Sequence, residues 1–287
     1  ATMTLNIAII GAGIAGITAA RTLANAGHHV HVFEKSRGAG GRMSTRLSNF
    51  GTFDHGTQYF TVRDTRFAQA IETAPGVCKP WSANAVRVLD AMGRVVEAAL
   101  PHRESHWVAK PGMNALVKAW AQPLESHIQL GAKVLRISRD ALHKKQWQLY
   151  TEGEDDNGNV TQQVFAGFDG VLMAQPPLQA QELLRTSSLA PALVKPLNAV
   201  QVAPCWTLML AFPNATQPNL HIGPQWNAAR SIHHRIAWLA RESSKPGRGK
   251  VERWTVQASA AWSAEHITDA MVLGCGRHRY LHRATPW

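Results

Sequence analysis

LNIAIIGAGIAGITAARTLANAGHHVHVFE, residues 5–34, decides the fold. The opening LNIAII is apolar apart from Asn6 and reads as a short buried strand. GAGIAG follows at once, and then Ile17, Ala20, Leu23 and Ala24 recur at helical spacing. Gly27 ends that helix. HHVHVFEK alternates apolar with polar, with Val30, Val32 and Phe33 as the buried set, and reads as a second strand. Strand, helix and strand within ~30 residues make a β-α-β unit. Its two strands are expected to run parallel, since a helix-length crossover joins them.

The glycines in this unit stand where a dinucleotide requires them. Gly11 allows the tight turn out of the strand, Gly13 lets the backbone approach a pyrophosphate, and Gly16 lets helix and strand pack closely. The helix start then offers free N–H groups and a positive dipole end to the phosphates. Glu34 closes the second strand, 23 residues after Gly11. A carboxylate there accepts hydrogen bonds from an adenosine ribose and repels a 2′-phosphate, so NADP is disfavoured at this site. Directly beyond it lies a second glycine-rich segment, Arg37-Gly38-Ala39-Gly40-Gly41-Arg42-Met43-Ser44-Thr45. An ordinary NAD domain has no use for it, whereas the longer FAD does. Gly40 and Gly41 let the chain cross the pyrophosphate, and Arg42 brings directed donors to it.

Composition sets the outer bounds. The chain has 287 residues, about two domains at ~150 residues each. Hydrophobic residues make up 45% and charged ones 17%, which excludes disorder over the whole length. The cysteines Cys78, Cys205 and Cys275 lie far apart with no CxxC pair, which argues against a disulfide framework or a zinc ribbon. The longest apolar stretch, residues 7–20, carries three glycines and a threonine, and a bilayer span needs ~18 or more apolar residues. ATMTLN ahead of it has no basic residue, unlike a secretory leader. The expectation is a soluble, cytoplasmic protein without a membrane partner. Lys and Arg exceed Asp and Glu by 30 − 19 = 11. That excess favours anionic partners. The cations form no run of five and do not interleave with aromatics, so a phosphate-bearing small molecule is expected rather than nucleic acid.

Further along, RDTRFAQAIETA reads as a helix before Pro75, and PGMNALVKAWAQ as another. AVRVLD and GRVVEAAL are short β-like pieces around Met92-Gly93. IQLGAKVLRISRD is β-rich. WQLYTEG and VTQQVFAGF flank EDDNGN, where Asn157-Gly158 signals a hairpin. FDGVLMAQPP is a buried strand stopped by Pro176-Pro177, and QAQELLR is helical. Residues 197–212 and 250–262 read as strands on either side of a Pro/Gly/His-rich stretch.

Taken together, IAIIGAGIAG, FEKSRGAGGRMSTR and FDHGTQYFTVRD resemble the flavin-containing amine oxidase superfamily. Within it, APCWTLMLAF (203–212), IAWLARESSKPGR (236–248) and WTVQASAAWSAEH (254–266) are similar to the bacterial renalase-like proteins. The resemblance implies an FAD/NAD(P)-binding Rossmann-like domain interleaved with an α+β substrate domain containing an antiparallel sheet. It implies residues 1–75 and 103–177 for the FAD domain and 76–102 and 178–268 for the substrate domain, with the flavin at their junction. Gly11, Gly13, Ala15 and Gly16 match the pyrophosphate loop, Glu34 and Lys35 the adenosine-ribose end, and Arg42 the GGR arginine. Gln58 and Tyr59 match the segment that runs beside the flavin, and Val134 the strand residue whose backbone meets the adenine. The implied reaction is oxidation of 2- or 6-dihydro-NAD(P) to NAD(P)+, with hydride passing to flavin N5 and O2 leaving as H2O2. A flavin amine oxidase with another amine substrate, and a truncated, non-catalytic dinucleotide-binding remnant, are the competing expectations.

His55 within FDHGTQYF would neighbour the flavin under this resemblance, with a structural hydrogen-bonded histidine as the blander reading. No acid–base catalyst is required when the donor is already a dihydropyridine. His28, His29, His31, His233 and His234 lack metal-ligand spacing, so no metal is expected. Trp206, Trp226, Trp238 and Trp254 suit either an aromatic pocket or the core. Glu154-Asp155-Asp156 reads as a solvated hairpin tip. The resemblance also implies a closing Gly-Asp strand end and a final helix. The chain has no Gly-Asp dipeptide, and residues 269–287 read as an atypical tail, truncated or diverged.

Overall fold

Burial on both faces of a parallel sheet selects nearly continuous apolar strands. In the computed structural model, which describes residues 3–81, 86–97, 104–215, 226–268 and 280–284, the first such strand is β1 (Asn6–Ile10). It is followed by α1 (Ile14–Asn25) and β2 (His29–Glu34). β1 and β2 pair in parallel with Ile9 opposite Val32. Gly170–Met173 adds in parallel beside β1, and Ile128–Leu130 beside β2, completing a four-stranded sheet. The EDDNGN hairpin forms as expected: Trp147–Glu154 pairs antiparallel with Val160–Phe168, and Lys133–Arg139 adds as the third strand. Ala8, Ile10, Phe33, Ile137, Leu149, Phe168 and Leu183 join these two sheets in one buried cluster. The Ser187 hydroxyl, at the end of helix Pro177–Thr186, accepts the Ile137 N–H at 2.9 Å.

The chain divides into two compact units, residues 1–41 with 117–201, and residues 42–116 with 202–287. These cuts fall elsewhere than the functional boundaries expected above, which concern what each part binds.

The second unit is built on a seven-stranded sheet. Its order is Tyr280–Ala284, Cys205–Phe212, Glu252–Ala258, Ile236–Arg241, Ala228–Ser231, Arg87–Leu89 and Val95–Glu97. All its pairings are antiparallel except Ala228–Ser231 with Arg87–Leu89. A hairpin, Thr45–Ser48 with Gly51–Asp54, and a pair, Cys78–Trp81 with His106–Ala109, belong to the same unit. Helix Thr65–Glu72 starts where expected because the Asp64 carboxylate caps it, accepting the Arg66 N–H at 2.8 Å.

Four local readings change. Residues 197–204 are not a strand: Leu197 ends helix Pro191–Leu197, begun by a proline at its first turn, and residues 198–204 are irregular. Residues 260–262 belong to helix Ala260–Glu265, because the Ser259 hydroxyl caps the Trp262 N–H at 3.2 Å. The Pro/Gly/His-rich stretch holds strands Ala228–Ser231 and Ile236–Arg241, whose short apolar runs gain meaning only by pairing within the sheet. In the tail, Tyr280–Ala284 forms a strand against Cys205–Phe212, which its composition did not suggest. Residues 269–279 and 285–287, with Cys275, lie outside the described residues.

Candidate cofactor site

The first unit supplies the turn. Gly11 leaves β1 at φ +106°, a conformation that L side chains resist, and its N–H donates to the Phe33 carbonyl at 2.8 Å. At Gly16 a Cβ would fall within the carbonyl oxygen of Gly11, so helix and turn touch there. Gly13 is different. A Cβ built on it meets nothing nearer than the Gly41 Cα at 3.8 Å. The chain returns alongside at Gly40, whose N–H donates to the Ala12 carbonyl at 3.0 Å. α1 begins after Gly13 with no side-chain cap and no acidic residue in its first turn, and Ala15 is exposed. Its terminal amides are therefore available to an anion.

Glu34 does something the sequence did not indicate. Its two carboxylate oxygens accept the Ala12 and Ser36 N–H groups, each at 2.8 Å. The residue is 8% exposed. It thereby pins the turn to the end of β2. A carboxylate offers ~four acceptor positions, so two bonds leave capacity for a ribose diol. Lys35 next to it is exposed. Val134 is half-buried, packed against the Phe33 cluster, at a bulge in its strand. An open face at Gly13, an uncapped helix start and a fixed acid at the strand end fit the adenosine diphosphate part of a dinucleotide.

The second unit holds the remaining candidates. Arg42 is exposed, and its carbonyl accepts from the Thr57 N–H at 2.9 Å and the Thr57 hydroxyl at 3.1 Å. Gly56 must be glycine, since a Cβ would overlap that same carbonyl. Gln58 is buried and donates to the carbonyls of Asp54 and Gly56. Tyr59 is half-buried, its ring 4.1 Å from that of His106 and 5.7 Å from that of Trp238. His55 is buried.

Beneath this segment lies a cluster that the sequence reading missed. Asp54, Glu242, Lys245 and Arg248 all have side chains with 0% exposure. Asp54 Oδ2 accepts from Lys245 Nζ at 3.0 Å and Arg248 Nη1 at 2.7 Å. Its Oδ1 accepts from the Met113 N–H at 2.9 Å and the Thr45 hydroxyl at 3.0 Å. Glu242 Oε1 accepts from Lys245 at 3.1 Å. Burial opposes the charge on Asp54, yet the two cations and the Met113 N–H outweigh it and hold the carboxyl below its ordinary value. Burial, aided by the Asp54 charge, wins at Glu242 and pushes that carboxyl up. SKPGR within IAWLARESSKPGR was the available signal, but buried charges need partners, and Lys245 finds Asp54 191 positions away.

Several other singled-out residues make packing and hydrogen-bond contacts within their own units. The Trp206 indole donates to the His266 carbonyl at 3.0 Å, and Trp254 donates to Glu252 at 2.7 Å while meeting Trp226 edge-on. His31 stacks on Phe33. Asp155 closes its hairpin by accepting from the Asn157 and Asn159 N–H groups. Among the described residues no three His, Cys, Asp or Glu side chains are arranged to hold a metal, and no helix is long and apolar enough to cross a membrane. Cys78 and Cys205 are free thiols.

Fold and turn together define a Rossmann-like dinucleotide-binding protein. Residues 9–72 match the NAD(P)-binding Rossmann-like domain. Residues 95–273 match the flavin containing amine oxidoreductases, and the chain belongs to that family, with FAD as its cofactor. Solved structures share the fold. A putative protoporphyrinogen oxidase from Exiguobacterium sp. 255-15 aligns at TM-score 0.68 and 13% identity, over 100% of this chain and 87% of that one. Cyclohexylamine oxidase from Brevibacterium oxydans IH-35A gives 0.68 and 13%, over 93% and 78%. Among curated proteins, 4,4'-diapophytoene desaturase of Staphylococcus haemolyticus (strain JCSC1435) is 45% identical over 60 residues, 21% of this chain and 12% of that protein's length.

Proposed function

We propose that this chain is an FAD-dependent oxidase of the renalase-like type, acting on 2- or 6-dihydro-NAD(P). The net reaction joins the dihydronicotinamide, O2 and a proton, and yields NAD(P)+ and H2O2. Bound FAD supplies a two-electron acceptor that takes hydride at N5 and can be reoxidised by O2. The protein's own share is binding and orientation. The amides at the start of α1 and the open face of Gly13 hold the pyrophosphate, Glu34 and Lys35 the ribose end, and the Val134 backbone the adenine. In the second unit, Arg42 matches the family's GGR arginine, and Gln58 and Tyr59 match its flavin-side segment. The observation that carries the cofactor half is the open Gly13 face beside an uncapped helix. The substrate half rests on APCWTLMLAF, IAWLARESSKPGR and WTVQASAAWSAEH, and the charge of +11 suits a polyphosphate donor. The free, widely separated thiols go with a cytoplasmic location.

Two measurements test this. The absorbance spectrum of the purified chain with added FAD reports binding, and a preparation that stays colourless favours the dinucleotide-binding remnant. Anaerobic titration with 2-, 4- and 6-dihydro-NAD(P) and with amines such as putrescine then reports the donor. Flavin bleaching by the 2- or 6-dihydro isomers supports the proposal. Bleaching by an amine alone replaces it with an amine oxidase.

A further inference from the structure

Side chains two apart on a strand share a face of the sheet, and one face of Glu252–Ala258 is unusually polar for a buried surface. Arg253, Thr255 and Gln257 lie on it. Thr207 sits opposite Gln257 in the antiparallel register, and Gln257 is in turn opposite Trp238. This row meets residues 50–58 in order. Arg253 donates to the carbonyl of Phe50 at 3.2 Å and of Thr52 at 3.1 Å. The Thr255 hydroxyl donates to Glu242 at 2.8 Å, and Glu242 accepts the Asp54 N–H at 3.2 Å. The Thr207 hydroxyl donates to the His55 carbonyl at 3.1 Å. Gln257 Nε2 donates to the Gly56 carbonyl at 2.7 Å and the His55 carbonyl at 3.4 Å. The Trp238 indole donates to Gln58 Oε1 at 3.4 Å.

Such a surface is costly to assemble. Buried hydroxyls and amides lose their hydrogen bonds to water and replace them only through well-placed partners. Leu or Val at Thr207 would pack as well without specifying where residues 55 and 56 lie. The polar choice fixes the height and register of one irregular segment against a rigid sheet. That segment carries Gln58 and Tyr59, the two residues assigned to the flavin in the second unit.

We propose that Thr207, Gln257 and Trp238 are positioning residues for the flavin-side segment, residues 55–59. This rests on the FAD reading of the site. The test compares Thr207→Val, Gln257→Met and the double variant with Thr207→Ser, which keeps the hydroxyl, all titrated with FAD. The double variant loses three hydrogen bonds, and FAD affinity should fall about tenfold or more. Its bound flavin should show a displaced visible band and a changed midpoint potential, while Thr207→Ser stays with wild type. Unchanged band, potential and affinity in the double variant overturn the positioning role and leave the FAD reading standing. A lowered melting temperature with an unchanged flavin spectrum and potential also overturns it, because that is the signature of a purely structural bond. If the double variant does not fold, Thr207→Val and Trp238→Phe carry the same comparison. Wild-type protein that never takes up FAD overturns both the reading and the role.

Discussion

Replacing Asp54 with Asn probes the buried cluster at its centre. The side chain is fully buried and accepts four hydrogen bonds, two from the neutral Met113 N–H and Thr45 hydroxyl and two from Lys245 and Arg248. Asn keeps one acceptor oxygen but turns an NH2 group toward two cations. Both charge-assisted bonds are lost, at ~1.5–3 kcal/mol each. Among the described residues Glu242 is then the carboxylate left to Lys245 and Arg248, and breaking a buried pair by removing one partner costs ~3–5 kcal/mol. We expect a destabilisation in that range. Urea unfolding reads it, followed by the summed fluorescence of the ten tryptophans, of which Trp81 has its ring 5.3 Å from Lys245 Nζ. Adding Lys245→Met removes the uncompensated cation, so the double variant should lose less than the sum of the singles. A loss below ~1 kcal/mol for Asp54→Asn, with additive double-variant behaviour, would refute the argument. The pH arm has a definite sign. Asp54 titrates below its ordinary value of 3.8 in the folded protein, so its stabilisation is complete above that value. It is lost as pH falls through the lower folded pKa. Glu242 is raised, so its ionisation works the other way, and stability falls as pH rises above 4.5 toward its folded value. Asp54→Asn should therefore flatten the acid limb of the stability profile.

Gly13→Ala should leave the melting temperature near wild type, since the added methyl meets nothing nearer than the Gly41 Cα at 3.8 Å, an ordinary contact, yet weaken FAD binding by ~1.4 kcal/mol or more, tenfold. Equal loss of stability and affinity would count against the open-face reading. Gly16→Ala should instead cost ~3 kcal/mol or more in stability through overlap with the Gly11 carbonyl, measured by thermal unfolding. Glu34→Gln turns an NH2 against one of two backbone N–H groups and should destabilise by ~1–3 kcal/mol even without FAD. A change seen only in the presence of FAD would mean that Glu34 does not pin the turn. The thiol of Cys78 is pushed up to about 11 by burial, so it should resist alkylation at neutral pH in the native protein and react after unfolding. Rapid native labelling, read by peptide mass, would contradict that.

Much of the first unit was legible because its information is local. Strand, glycine turn, helix and strand follow one another within residues 5–34, and glycine spacing, apolar period and the acid at position 34 are all visible along the chain. The Asn157-Gly158 hairpin is legible for the same reason. What failed were short elements whose identity depends on a partner or a cap, such as Ala228–Ser231 and Ala260–Glu265. The polar core of the second unit was hidden more deeply. Asp54 looks like any carboxylate near a turn, and Thr207 and Gln257 look like ordinary strand residues. Only strand register puts Thr207 opposite Gln257 and beside residues 55 and 56, about 150 positions earlier. The sequence alone thus determined that a Rossmann-like β-α-β unit exists, because that motif is built from neighbours in the chain. Which buried charges neutralise one another, and which side chains hold residues 54–58, was decided by tertiary structure, because both depend on distances that form only when remote strands pair.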